Sequence, residues 1–93
     1  MKYNFSEVKI KDIDGKEINN THKALANAIY LLTENLDLVE IAQKINRGEE
    51  VDLEKAEVET IKQIINEPKA GFFAFVKKAY FDYIDSVKEK SKE

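Results

Sequence analysis

Pro68-Lys69-Ala70-Gly71-Phe72-Phe73-Ala74-Phe75-Val76-Lys77-Lys78-Ala79-Tyr80-Phe81-Asp82-Tyr83-Ile84-Asp85-Ser86-Val87 holds most of the chain's aromatic residues at helical spacing. Proline suits the first helical turn, where its missing N–H removes no intrahelical bond, so the pattern predicts a long last helix over about residues 69–88. Its apolar residues spread over more than the roughly 100° stripe that a surface helix buries. Cover must come from more than one side. Either the helix is central, flanked by the three preceding helices on one side and an N-terminal hairpin on another, or part of it stays outside. In the second case Phe75 or Phe81, with Tyr80 or Tyr83, anchors a homodimer or another protein, since aromatic residues often carry interface energy.

Reading back from Pro68, three shorter helices precede it. Val58, Ile61, Ile64 and Ile65 line one side of a helix over about 53–66, started by Asp52 or Glu54. Leu38, Ile41, Ala42 and Ile45 form the stripe of another over 37–47, where Asp37 and Glu40 stand at capping-box spacing. Arg47-Gly48 ends it, because a cation suits the last turn and glycine takes the left-handed position beyond it. Ala24, Leu25, Ala28, Ile29, Leu31 and Leu32 give a first helix over 21–34, with Asn19, Asn20 and Thr21 all able to cap it.

Ahead of these helices, Val8, Ile10 and Ile18 alternate with polar residues around Asp12-Ile13-Asp14-Gly15-Lys16, a hairpin signal over about 5–19. A two-residue Asp14-Gly15 loop would put Ile10 and Ile18 on opposite faces. A three-residue loop, with Asp12 opening a type I turn and Gly15 in the left-handed bulge position, pairs Ile10 with Ile18 and Lys11 with Glu17. That register leaves Ile13 at an exposed tip. The predicted fold is therefore α+β: an N-terminal β-hairpin packed on about four helices in one compact domain spanning 1–93, with a frayed tail over 89–93.

Composition narrows the function classes. A 93-residue chain with 43% hydrophobic and 35% charged residues is ordinary for a globular protein and buries roughly 65% of its unfolded surface. The absence of cysteine excludes disulfides and thiolate metal sites and suits a reducing, cytoplasmic setting. No secretory signal opens the chain, and no apolar run approaches the roughly 18 residues of a membrane span.

The net charge of −3 gives no long-range pull on nucleic acid. A helix-turn-helix reading of the second and third helices fails on the same ground, since Glu54, Glu57 and Glu59 would occupy the start of the recognition helix. The stretch from Glu49 to Glu59 is the most acidic in the chain, with Glu49, Glu50, Asp52, Glu54, Glu57 and Glu59 against Lys55 alone. Such a run solvates a face and complements helix dipoles; it can also dock a basic partner, through Glu49, Glu50 and Glu54.

No reaction chemistry is legible. His22, the single histidine, stands beside Thr21 and Lys23 with no carboxylate or thiol near it in sequence. Asp12 and Asp14 look like a fragment of a calcium loop, but glycine comes too early and no spaced Glu closes it. Gly15, Gly48 and Gly71 are isolated and cradle no phosphate; Gly71 is expected to admit a close neighbouring backbone. Neither catalytic residues nor a cofactor are assigned.

Val8 to Lys16, Leu25-Ala26-Asn27-Ala28, Leu38 to Ile45 and Val51-Asp52-Leu53 through Ile61-Lys62, in that order, resemble small uncharacterised proteins encoded by tailed phages and prophages. The resemblance implies a phage or mobile-element accessory protein without an assigned reaction. The expected function is thus a non-enzymatic interaction module with a protein partner, acting through Phe75, Tyr80, Phe81 and Tyr83 or through the acidic edge. The alternative is a regulatory nucleic-acid-associated protein, which requires a basic surface on the folded chain.

Overall fold

The computed structural model describes residues 1–18 and 21–91, with side chains as far as Val87, and sets short β pairs against four helices. Strand β1 (Lys2–Tyr3) leads into a 3-10 turn at Phe5–Glu7, and β2 (Ile10–Lys11) and β3 (Glu17–Ile18) form the hairpin. Helices α1 (Thr21–Leu32) and α2 (Leu36–Asn46) follow, then β4 (Val51–Asp52), α3 (Lys55–Asn66), a 3-10 turn at Pro68–Ala70 and α4 (Ala74–Ser91).

The hairpin takes the three-residue loop. Ile10 pairs with Ile18 and Lys11 with Glu17, and Gly15 adopts φ +82°, the left-handed conformation a bulge needs. The Asp12 N–H donates to the Lys16 carbonyl at 2.9 Å, while the Asp12 carboxylate accepts from the N–H groups of Asp14 and Lys16. One oxygen of that aspartate, Oδ1, thus holds the turn from two donors. Ile13 stands in solvent at its tip.

The hairpin is shorter than 5–19 because residues 5–7 coil into the 3-10 turn, with the Asn4 side chain accepting from the Ser6 N–H. The strand before that turn was not foreseen. Tyr3 pairs antiparallel with Val51 and Lys2 with Asp52, so the N-terminal arm crosses to the segment joining α2 and α3. The Leu53 N–H donates to the Met1 carbonyl at 2.8 Å, and the terminal amine reaches the Asp52 carboxylate and the Leu53 carbonyl, each at 3.2 Å.

Each helix ends where its chemistry allows. Asn19 and Asn20, proposed as caps of α1, lie outside the described residues. For α2 the cap is Asn35, not Asp37: the Asn35 carboxamide oxygen accepts the Asp37 N–H at 2.9 Å, and the Asp37–Glu40 pair gives way to it. At the other end Gly48, with φ +78°, closes a Schellman motif, Glu49 N–H to Lys44 carbonyl and Gly48 N–H to Ile45 carbonyl. Helix α3 starts two residues later than expected, with Glu54 at its cap and the Glu57 carboxylate accepting the Glu54 N–H at 2.9 Å. Val58, Ile61, Ile64 and Ile65 are all buried.

The largest change is at α4, which begins at Ala74 and not at 69. Pro68 instead starts the separate 3-10 turn, and Gly71 ends that turn at φ +74°. No atom lies within 4 Å of where a Gly71 Cβ would sit. The glycine therefore serves backbone conformation and not the close packing expected of it. Helical backbone continues through Ser91, past the point where fraying was expected; residues 92–93 lie outside the described range.

One core unites these elements. Val76, Tyr80 and Ile84 of α4 are buried with Tyr3 and Phe5 of the N-terminal arm, Ile10 of the hairpin and the inner faces of α1, α2 and α3. Tyr3 and Phe5 lie parallel with centroids 5.9 Å apart, and edge or tilted contacts at 5.6–6.3 Å join them to Tyr80 and Tyr83. Each such pair adds about 0.5 to 1.5 kcal/mol beyond area burial. The aromatic helix is thus sheathed from one side by the first residues of the chain.

Candidate interaction surface

Helix α4 sorts its aromatic residues by angle. At about 100° per residue, Val76, Tyr80 and Ile84 fall on one line and face the core. Tyr80 is 0% exposed, and its hydroxyl donates to the Thr21 carbonyl at 2.7 Å, tying α4 to the start of α1. Burial pushes the Tyr80 phenol up to about 12. Tyr80 is a core residue; its assignment to an interface is corrected by that burial.

Tyr83 and Phe81 flank this line and are half-buried. The Tyr83 hydroxyl accepts the Asn4 N–H at 2.7 Å. Burial raises its pKa above the usual tyrosine range, against the Asn4 hydrogen bond, with the carboxylates of Glu7 and Glu50 adding to the rise. Phe81 borders a shallow groove between α3 and α4 beside Lys62 and Asp85. Both residues hold the helix in place more than they face outward.

Phe75 is on the outside, at 43% exposure, and its neighbour in space is Phe73, at 71%. The two rings are parallel within 7°, with centroids 6.1 Å apart. Phe73 precedes the helix, and the Val76 and Lys77 N–H groups both donate to its carbonyl at 3.1 Å. It therefore sits at the shoulder between the Gly71 turn and the first turn of α4. Sequence reasoning placed Phe73 on the helix but not at the interface. The signal lay in Gly71, whose left-handed turn starts the helix late and takes Phe73 off its buried stripe.

The acidic edge proves to be used locally. Glu49 bonds to the Arg47 guanidinium, Asp52 to the terminal amine, and Glu57 to the backbone of the α3 cap at Glu54. Glu49, Glu50 and Glu54 are all exposed. The structure divides them between the α2–β4 connection and the α3 cap, so this stretch serves local turns and helix ends. Other exposed apolar residues are Tyr30, Leu31 and Leu36, around the turn between α1 and α2.

Among the described residues, no three His, Asp or Glu side chains gather to hold a metal ion, and no buried side-chain nitrogen or oxygen lacks a hydrogen-bond partner. No helix there is long and apolar enough to cross a membrane. His22, at the start of α1, is half-buried. A cavity lies between α1 and α2, where Asn27, Tyr30, Gln43, Asn46 and Arg47 offer amides, a phenol and one cation that is already paired with Glu49. Comparison with known proteins gives no match: no family model, curated protein or solved structure aligns with this chain.

Proposed function

We propose that this chain is a non-enzymatic interaction module that holds a protein partner through the Phe73–Phe75 pair. One observation carries the reading: two stacked aromatic rings stand outside the fold although the core is complete without them. Exposed aromatic residues on a rigid helix start are the kind of anchor that partner pockets take up. The acidic edge, whose carboxylates serve local structure, is the weaker candidate. The accessory role implied by the phage resemblance belongs to the same proposal, since such a protein would act by contact.

The test places a photo-crosslinking phenylalanine analogue at position 73 and, as a control, at the still more exposed Ile13. A discrete protein adduct from position 73 only, lost when Phe75 is changed to Ser, is the expected result. Equal labelling from both positions, or adducts indifferent to Phe75, would remove the surface from consideration. Phe73→Ser and Phe75→Ser should each shift folding stability by no more than about 0.5 kcal/mol for Phe73 and about 1 kcal/mol for the half-buried Phe75.

A further inference from the structure

The Phe73–Phe75 pair sits in the most basic part of an acidic chain. From Pro68 to Phe81 the sequence carries Lys69, Lys77 and Lys78 and no carboxylate, whereas the whole chain has net charge −3. Lys77 lies one helical turn beyond Phe73, its N–H bonded to the Phe73 carbonyl. Lys78 stands three residues after Phe75, a spacing that makes the two neighbours on a helix surface. Lys78 pairs with Asp82 at 2.8 Å, both side chains in solvent; among the described residues no ion pair holds Lys77, while Lys69 lines a separate groove with Glu34 and Glu67.

Area and charge together select the occupant. With about 200 Å² for a phenylalanine side chain, the two partly exposed rings offer roughly 200 Å² between them. A second folded copy would need about 800 Å² from each partner, and a symmetric pairing would bring the same lysines face to face. A membrane surface takes up a broad apolar helix face, and that face of α4 is turned into the core by Val76, Tyr80 and Ile84. Single-stranded nucleic acid stacks on aromatic rings but also needs a run of cations along its backbone; the two lysines beside the rings, one of them exchangeably bonded to Asp82 in solvent, supply one or two carboxylate contacts and not such a run. A short segment with an apolar side chain for the rings and carboxylates for the lysines fits all of these constraints.

We infer that the Phe73–Phe75 patch binds a short acidic segment of another protein, with an apolar side chain seated on the two rings and flanking carboxylates on Lys77 and Lys78. This rests on the interaction reading above and names its partner class. Charge complementarity sets the approach and the orientation, and the rings supply the contact that holds.

Fluorescence anisotropy on the full chain tests it with four probes. They are a labelled peptide whose glutamates and aspartates flank a central Leu-Phe pair, its twin with lysines replacing the acids, labelled oligothymidine, and phosphatidylglycerol vesicles. The acidic peptide should bind at least about tenfold more tightly than its twin or the oligonucleotide, with affinity falling as salt rises. Phe73→Ser should weaken it about tenfold or more, and so should Lys77→Gln combined with Lys78→Gln. Should the half-buried Lys77 prove needed for folding, Lys78→Gln alone replaces the double variant. Equal, Phe73-dependent binding of both peptides overturns the acidic assignment and leaves the interaction reading standing. Phe73-dependent preference for oligothymidine or vesicles overturns the assignment and changes the ligand class. No binding of the acidic peptide, or binding that Phe73→Ser leaves intact, also overturns it, while crosslinking from position 73 judges the broader reading separately.

Discussion

Replacing Tyr80 by phenylalanine removes one oxygen from the centre of the molecule and leaves the ring contacts with Phe5 and Phe72 in place. At neutral pH the loss is that of the hydroxyl's 2.7 Å hydrogen bond to the Thr21 carbonyl. Thr21 is the first residue of α1, so its carbonyl keeps its intrahelical role, and the cost should be about 1 kcal/mol. Tyr80→Phe is then modestly less stable than the parent.

Alkali should reverse that order. Burial raises the Tyr80 phenol from 10.0 to about 12 in the folded protein, so its contribution is fully present below pH 10, the unfolded value, and is lost as pH rises through the folded one. Within that window each unit of pH removes about 1.4 kcal/mol from the parent through Tyr80, a loss the variant does not share. The two stabilities should cross near about pH 11. Every other tyrosine is common to both proteins, so the difference between them isolates Tyr80. Denaturant unfolding followed by circular dichroism at a series of pH values measures it. A parent-minus-variant difference that stays flat from neutrality to the end of the series would falsify the burial of this phenol, and with it the role of α4 as the spine of the core.

Two further outcomes follow from local geometry. Gly71→Ala and Gly71→Leu should each cost about 1 to 2 kcal/mol, because both force a side chain into φ +74°, with melting falling by roughly 4 to 8 °C per kcal/mol. A much larger loss for leucine than for alanine would mean a steric contact and not a conformational cost. Asn35→Ala should lose about 1 kcal/mol through its cap on α2, while Asp37→Asn should cost only a few tenths through the helix dipole; equal losses in denaturant titrations would return the cap to Asp37.

Much of the fold was legible because short-range chemistry left few choices. Only one hairpin register puts Ile10 and Ile18 on the same face, and only one stripe of α3 carries Val58, Ile61, Ile64 and Ile65. The β1–β4 pair was not legible. Two residues have no periodicity, and a partner some fifty positions away in sequence, Tyr3 to Val51, is set by where α2 and α3 leave the chain. Tyr3 and Phe5 were missed as cover for α4 for the same reason. At the site, the sequence named Phe75 among the aromatic residues of the last helix, and it is one that the fold leaves exposed. Tyr80 was misplaced because its position on the line of Val76 and Ile84 was given less weight than its chemistry. Phe73 escaped because the left-handed state of Gly71 depends on the neighbouring turn as well as on the glycine.

Folding alone gives little reason for aromatic rings at positions 73 and 75. The stacked pair gains something from its own contact, up to about 1 kcal/mol for a well-formed aromatic pair and less where water reaches both rings. Against this, exposed phenylalanines invite non-specific association. A polar residue at 73 would leave the buried line of Val76, Tyr80 and Ile84, the hydroxyl bonds to Thr21 and Asn4, and the Tyr3–Phe5 sheath unchanged. The acidic residues stand in the opposite case, since Glu49, Asp52 and Glu57 each have a local bond whose loss would be felt in the fold. Of the ring pair and the acidic edge, the ring pair is the one whose cost to the isolated chain a covering partner would offset.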